Sequence, residues 1–512
     1  MEPIVTPLLA LSVRAWVASV GRLALAATLV AALRAGDQAQ WGDRGTRNQT
    51  SSETDLPESV DPATGLNVRW RVDLGTDSYA TPVVAAGRVY IGTNNGRPRN
   101  PARPDDRGVL MCFSERNGEF LWQLATPKLG GDIYLDWPNS GMSSPATVED
   151  GRVYVVSNRG QVLCVDPDGM ADGNDGPYRD EAALFAGPDG AVTAAGPLDA
   201  DVLWVTDLRE AIGIWPHDAA HSSILVDGPF LYLNTGNGVD NTHRLVRRPD
   251  APSLVVLNKE SGALVAQDGA KIGPRLVHCQ WSSPALGEVG GRRLVVMGGG
   301  DGVVYAFEAL RDLPAAGTVA VLKTAWWFDC DPAAPRENPC TWNGNRKEGP
   351  SNILSMPVFL DGRVYVTGGG DTWWGKSEAW VKCLDAGGAG EVTATALRWS
   401  APLLKHCMAT VAIRDGVLFV ADLGHALHAL DAKTGQELWS QELPGEVWNG
   451  ALAADGRVYV GDRKGTLTVL AAAQEKRLLS QVQLDGPISA APVAANGTLF
   501  IATSTSLYAF GK

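Results

Sequence analysis

Two histidines four residues apart, His217 and His221 in the run WPHDAAH, are the first candidates for proton transfer. An imidazole near neutrality can take or give a proton at physiological pH. Two His-Cys pairs, His278-Cys279 and His406-Cys407, offer nitrogen and sulfur donors of the kind zinc takes. No second pair lies at finger-like spacing, so the plainer expectation is that all four residues are structural. The run DPDGMADGNDGPYRDE, residues 166–181, sets acids between glycines as calcium loops do, with Asp168, Asp172, Asn174 and Asp175 as candidate oxygen ligands. Its spacing departs from the EF-hand pattern, and a solvated acidic turn is the competing expectation. Asp301, Asp371 and Asp462 each follow a glycine in a turn, where Asp suits the backbone, and they receive no catalytic role. Neither G-x-S-x-G nor H-E-x-x-H occurs, which leaves a hydrolase little support.

These residues must be positioned by a chain of 512 residues with 45% hydrophobic and 20% charged residues, which is a globular composition. A net charge of -13 argues against nucleic acid or an anionic membrane surface as the main partner. Residues 1–40 read as an export signal or N-terminal anchor: Arg14 and Arg22 precede an uncharged run from Leu23 to Leu33, too short to span a bilayer. No Cys precedes Cys112, which excludes a lipid-modified Cys after the signal. Residues 41–66 are a lead-in, and periplasmic or secreted localisation is expected. Oligomeric state is not legible.

From residue 67 to 512 the chain repeats one unit. SSPATVEDGRVYVV, SMPVFLDGRVYVT, ATVAIRDGVLFVA, GALAADGRVYVG and AAPVAANGTLFIA each read as a strand, an Asp-Gly or Asn-Gly turn and a second strand. Gly416, Gly456 and Gly497 fall about 40 residues apart, the period of a four-stranded propeller blade. Fourth strands recur around Trp122, Trp204, Trp326, Trp399 and Trp439. The eighth copy ends at Lys512 without a fourth strand, while VRWRVDL, residues 68–74, is an orphan strand of the right kind. The expected fold is an all-β, eight-bladed propeller of four-stranded blades, its last blade closed by that N-terminal strand.

The pattern ALDAKTGQELW, with Ala429, Asp431, Thr434, Gly435 and Trp439, resembles the tryptophan-docking repeat of the PQQ-like propellers, which include quinoprotein dehydrogenases and BamB-type assembly factors. The resemblance covers roughly residues 66–512. It implies either a binding scaffold or a PQQ-dependent dehydrogenase that oxidises an alcohol, polyol or sugar, with PQQ and calcium as the cofactors. The adjacent cysteines and the C-x-x-C-H haem motif of many such dehydrogenases are missing, which favours the scaffold.

In a propeller, the loops from fourth to first strand and from second to third strand share one face. Trp137, Trp215, Trp281, Trp342 and Trp448 fall in the first class, and Trp373 and Trp374 in the second. Insertions at 95–107, 237–251 and 329–352 enlarge the same face, where binding is expected for a small molecule or a protein partner. One residue per blade should start the innermost strand facing the channel: Tyr79, Met142, His221, Trp281, Leu354, Met408, Trp448 and Ser489. Either these residues bind a ligand, or they plug the channel mouth. Cys112, Cys164 and Cys383 share the third-strand position that Ala fills in other blades and are expected to be core residues, while Cys330 and Cys340 could bridge a Pro-rich loop.

Overall fold

The computed structural model describes residues 36–187, 194–218 and 222–512. The proposed address segment therefore lies outside the described residues up to residue 35. Eight antiparallel sheets form eight blades around one axis. Their innermost strands are Val83–Ala85, Thr147–Glu149, Leu225–Asp227, Ala285–Val289, Val358–Leu360, Ala412–Arg414, Leu452–Ala454 and Val493–Ala495. In seven of the eight blades the hairpin after it is tight because its two turn residues adopt positive φ, as at Asp415 (50°) and Gly416 (78°); blade 3 turns on Gly228-Pro229, with positive φ at the glycine alone. That geometry matches the right-handed twist of the flanking strands.

The second and third strands are buried along most of their length because a neighbouring blade covers each face. Outermost strands are mostly open to solvent, as in Glu437–Glu442, where Trp439 is the one buried residue, between half-buried Leu438 and exposed Ser440. This tryptophan docks one blade on the next. In six blades it lies opposite Cys or Ala of the third strand, in the pairs Cys112–Trp122, Cys164–Trp204, Ala306–Trp326, Cys383–Trp399, Ala429–Trp439 and Ala509–Trp70. A small residue there leaves room for the indole, which accounts for the three core cysteines. The indole N–H then donates to a backbone carbonyl of the following blade, as from Trp122 to Pro167 (2.8 Å), Trp326 to Ala386 (2.9 Å) and Trp439 to Ala473 (2.9 Å).

Ring closure follows the same rule. Val68–Asp73 pairs antiparallel with Ser506–Phe510 as the fourth strand of the last blade. Trp70 of that strand donates to Glu115 O in blade 1 at 2.9 Å, so closure uses the same contact as five other junctions. The open edges of blades 3 and 4 are covered by short parallel strands, Ala320–Val321 and Gly390–Glu391.

The lead-in is part of the ring. Residues 36–51 run inside it and exchange backbone bonds with innermost strands: Gln38 with Val84, Ala39 with Val148, Gly45 with Leu286, Thr46 with Phe359 and Gln49 with Ala453. Asn48 pairs with Ile413 through its side-chain amide, at 2.8 Å in both directions. Arg47 is fully buried and donates to Pro284 O, Trp41 O, Ser223 Oγ and Ser223 O. Burial lowers its pKa to about 9, so the guanidinium stays charged at neutral pH. These contacts begin at Gly36, ahead of the boundary placed at residue 40, and they plug the channel from within.

Candidate functional site

Above the plug, on the face carrying the long loops, lies a cavity of about 380 Å³. Trp41 rises from the plug into it. Around the wall stand Tyr79, Tyr134, Trp137, Trp281, Trp373, Trp374 and Trp448, with Leu354, Met408 and Ser489 between them. The rings brace one another: Tyr79 stacks on Trp448 (6.0 Å between centroids), and Trp373 meets both Trp281 (5.9 Å) and Trp448 (6.5 Å) edge-on. Arg463 lies beside both rings of this stack, 4.2 Å from the Trp448 centroid and 5.8 Å from that of Tyr79, and donates to Ser489 Oγ at 2.5 Å.

Six of the eight channel-column residues line the cavity: Tyr79, Trp281, Leu354, Met408, Trp448 and Ser489. Met142 does not. Its N–H is tied to Thr93 O and its side chain is fully buried between blades 1 and 2, so the adjacent Ser143 faces the cavity instead. His221 lies outside the described residues. Trp215 and Trp342 sit on the expected face but do not line this cavity.

Proton chemistry at His217 must be corrected. It is completely buried behind the wall, and burial together with neighbouring His278 holds its pKa well below the ordinary value. The histidines that reach the cavity are His243, from the 237–251 insertion, and His278, from the loop between blades 3 and 4. His278 Nε2 lies 2.6 Å from His217 Nε2, and His278 Nδ1 lies 2.8 Å from Asp371 Oδ2. His217 Nδ1 lies 2.7 Å from Val239 O. One donor nitrogen from each of His217, His243 and His278 falls within 4.8 Å of the others. Asp218, also at the cavity, lies 3.6 Å from His217 Nε2, and burial pushes its carboxyl up to about 6. Burial would also raise Asp371, but His278 and the N–H groups of Trp373 and Trp374 hold it down at about 2.

Asp371 thus does what a turn Asp was expected to do and also orients a histidine. Sequence reading missed His243 and Trp41. The first carries no motif, but its place in an insertion on the binding face was the available signal; the second sits in a segment that has no repeat to be aligned with. The His-Cys pairs do not act as pairs. Cys279 is fully buried with its thiol pushed far up by burial, and His406 is tied to Lys376 O at 2.7 Å.

The acidic loop does not gather its four candidates. Asp168 and Asp172 come together with Asp166, whereas Asn174 turns to Glu181 Oε2 (2.7 Å) and Arg179 Nη1 (2.7 Å), and the Asp175 N–H points to Asp201. Asp168 is also paired with Arg88. Cys330 and Cys340 stand as free thiols rather than a bridge.

Among known proteins, the family described as outer membrane protein assembly factor BamB matches residues 377–510. BamB from Moraxella catarrhalis superposes with a TM-score of 0.50 at 13% identity, covering 86% of this chain and 96% of that one. The quinohemoprotein alcohol dehydrogenase from Comamonas testosteroni gives 0.58 at 13% identity, covering 95% and 82%. The computationally designed protein Ika8 gives 0.51 at 12% identity, covering 87% and 100%. No curated protein sequence matches the chain. At such identities the structural likeness speaks for the β-propeller fold alone, and the family match makes the last blades, residues 377–510, similar to PQQ-like repeats.

Proposed function

We infer that this chain is an exported binding propeller whose axial cavity takes a small organic ligand with a flat, apolar body. The observation that carries this reading is the convergence of eight aromatic side chains, Trp41 as floor and seven as wall, on one cavity of about 380 Å³. That volume lies in the range of small-molecule sites, and mutually braced rings lose little freedom when a ligand stacks on them. Tryptophan fluorescence titrations with a naphthoquinone, PQQ and an oligosaccharide test it. Saturable quenching is expected, weakened about 5- to 150-fold in Trp281→Ala or Trp448→Ala, the equivalent of about 1–3 kcal/mol. Absence of saturable quenching by any of the three would count against it.

The dehydrogenase alternative meets a chemical mismatch. PQQ carries carboxylates, and calcium takes hard oxygen ligands. Among the described residues no lysine or arginine lines the cavity, and Asp218 is its one carboxylate. The residues present do not fit that pair. A protein-binding role of the BamB kind is favoured by one observation: Ile133, Trp137 and Trp374, at the rim, are exposed. Among the described residues, no helix is long and apolar enough to cross a membrane.

A further inference from the structure

We propose that His217, His243 and His278 bind one divalent first-row transition-metal ion of the zinc class in the cavity wall, with one coordination position open to the cavity. The inference goes beyond organic-ligand binding and stands whether or not the cavity takes such a ligand.

The argument starts from tautomers. Val239 O can only accept, so His217 Nδ1 carries a proton. Asp371 takes N–H donors on both oxygens: Asn352 Nδ2 at 2.9 Å on Oδ2, and Trp373 and Trp374 N–H on Oδ1 at 3.1 and 2.9 Å. It is therefore an acceptor toward His278 Nδ1 as well. With both rings neutral, each turns a lone pair on Nε2 toward the other at 2.6 Å. Two lone pairs at that distance repel unless a proton is shared between them or a metal ion beside them takes both. His243 supplies a third nitrogen within 4.8 Å, and the three rings are at most 6% exposed.

Carbonyl or carboxylate acceptors behind ligating imidazoles fix ring orientation and raise basicity, and this arrangement is present behind His217 and His278. An all-imidazole donor set suits zinc and its first-row neighbours and not calcium or magnesium. Three protein ligands with a fourth position open is the arrangement of reactive rather than structural zinc. Here the opening faces the cavity, because His243 and His278 line it. Two residues at the site, Asp218 (φ 57°) and His243 (φ 53°), hold left-handed backbone, a strain that the surrounding structure must impose.

The test uses the full chain, stripped with chelator and dialysed against zinc. One zinc per chain is expected, retained through gel filtration, and none above background in His243→Ala. Asp371→Asn should bind about 10- to 100-fold more weakly. His425→Ala, in a blade 6 turn away from the site, should bind as the parent does. X-ray absorption on the zinc-loaded parent should show imidazole scattering, a readout that no folding defect of a variant can mimic. No zinc bound by the folded parent, equal zinc in His243→Ala, or a spectrum without imidazole would each overturn the proposal; the first two would leave a shared proton between His217 and His278. Quenching titrations on the stripped chain test the cavity separately.

Discussion

Blade docking predicts a large difference between two superficially equivalent glycine substitutions. Gly435 (φ 76°) and Gly416 (φ 78°) lie in the same blade and both hold left-handed backbone. An alanine at either costs about 1–2 kcal/mol of backbone strain. At Gly416 an added Cβ would meet nothing within 4 Å, so strain is the whole cost. At Gly435 it would lie 2.4 Å from Cε3 and 2.6 Å from Cδ2 of Trp399. Trp399 cannot easily withdraw: it is 8% exposed, and its indole N–H donates to Ala432 O at 3.2 Å. Overpacking of this kind adds about 1–3 kcal/mol, which brings Gly435→Ala to about 2–5 kcal/mol against about 1–2 for Gly416→Ala. Urea unfolding of both variants, followed by circular dichroism, reads the difference. Equal destabilisation would refute the idea that the Thr-Gly turn exists to seat the preceding blade's tryptophan.

Four further outcomes are expected. Trp439→Ala should cost about 3–5 kcal/mol, more than Trp281→Ala or Trp448→Ala; if the cavity mutants melt as early as Trp439→Ala, the wall is a structural plug. Arg47→Met should destabilise the chain by about 2–4 kcal/mol, because it strands buried acceptors of Ser223, Pro284 and Trp41; deletion through residue 35 should leave the melting temperature unchanged and deletion through residue 51 should lower it. His428 is desolvated, yet the Asp422 carboxylate 3.4 Å from Nε2 and the Glu437 carboxylate hydrogen-bonded to Nδ1 at 2.8 Å outweigh this and raise its pKa. Its contribution is fully present below the unfolded value of about 6.5 and is lost as pH rises through the raised folded value, so the gap in unfolding free energy between parent and His428→Gln should narrow as pH rises above about 6.5; a widening gap would contradict the assignment. Burial raises the thiols of Cys164 and Cys407 to about 12 and of Cys340 and Cys383 to about 11, so a disulfide reagent should label the native chain slowly and all seven cysteines after denaturation; five labelled thiols would reveal a bridge between Cys330 and Cys340.

The fold was readable because propeller blades are local. Each hairpin turn, alternating strand and outer tryptophan lies within about 40 residues, so the repeat prints itself in the sequence, and the orphan strand at residues 68–74 followed from counting to the unfinished eighth copy. The aromatic wall was half legible for the same reason: Trp281 and Trp448 occupy equivalent repeat positions, and a ring turns equivalence into proximity. Met142 shows the limit, since a one-residue choice between channel and blade core is made by packing against Thr93 and Gly92 and not by register. What lay beyond the sequence has no repeat to carry it. Residues 36–51 touch every blade, yet no repeat marks them, because most of their bonds are backbone pairings to partners up to 460 residues away and only Arg47 and Asn48 reach blades 3 and 6 by side chain. The three histidines come from two blade-to-blade loops and one insertion, with Asp371 arriving from blade 5; their spacing along the chain is arbitrary, and only the closed ring fixes the few ångströms between their nitrogens.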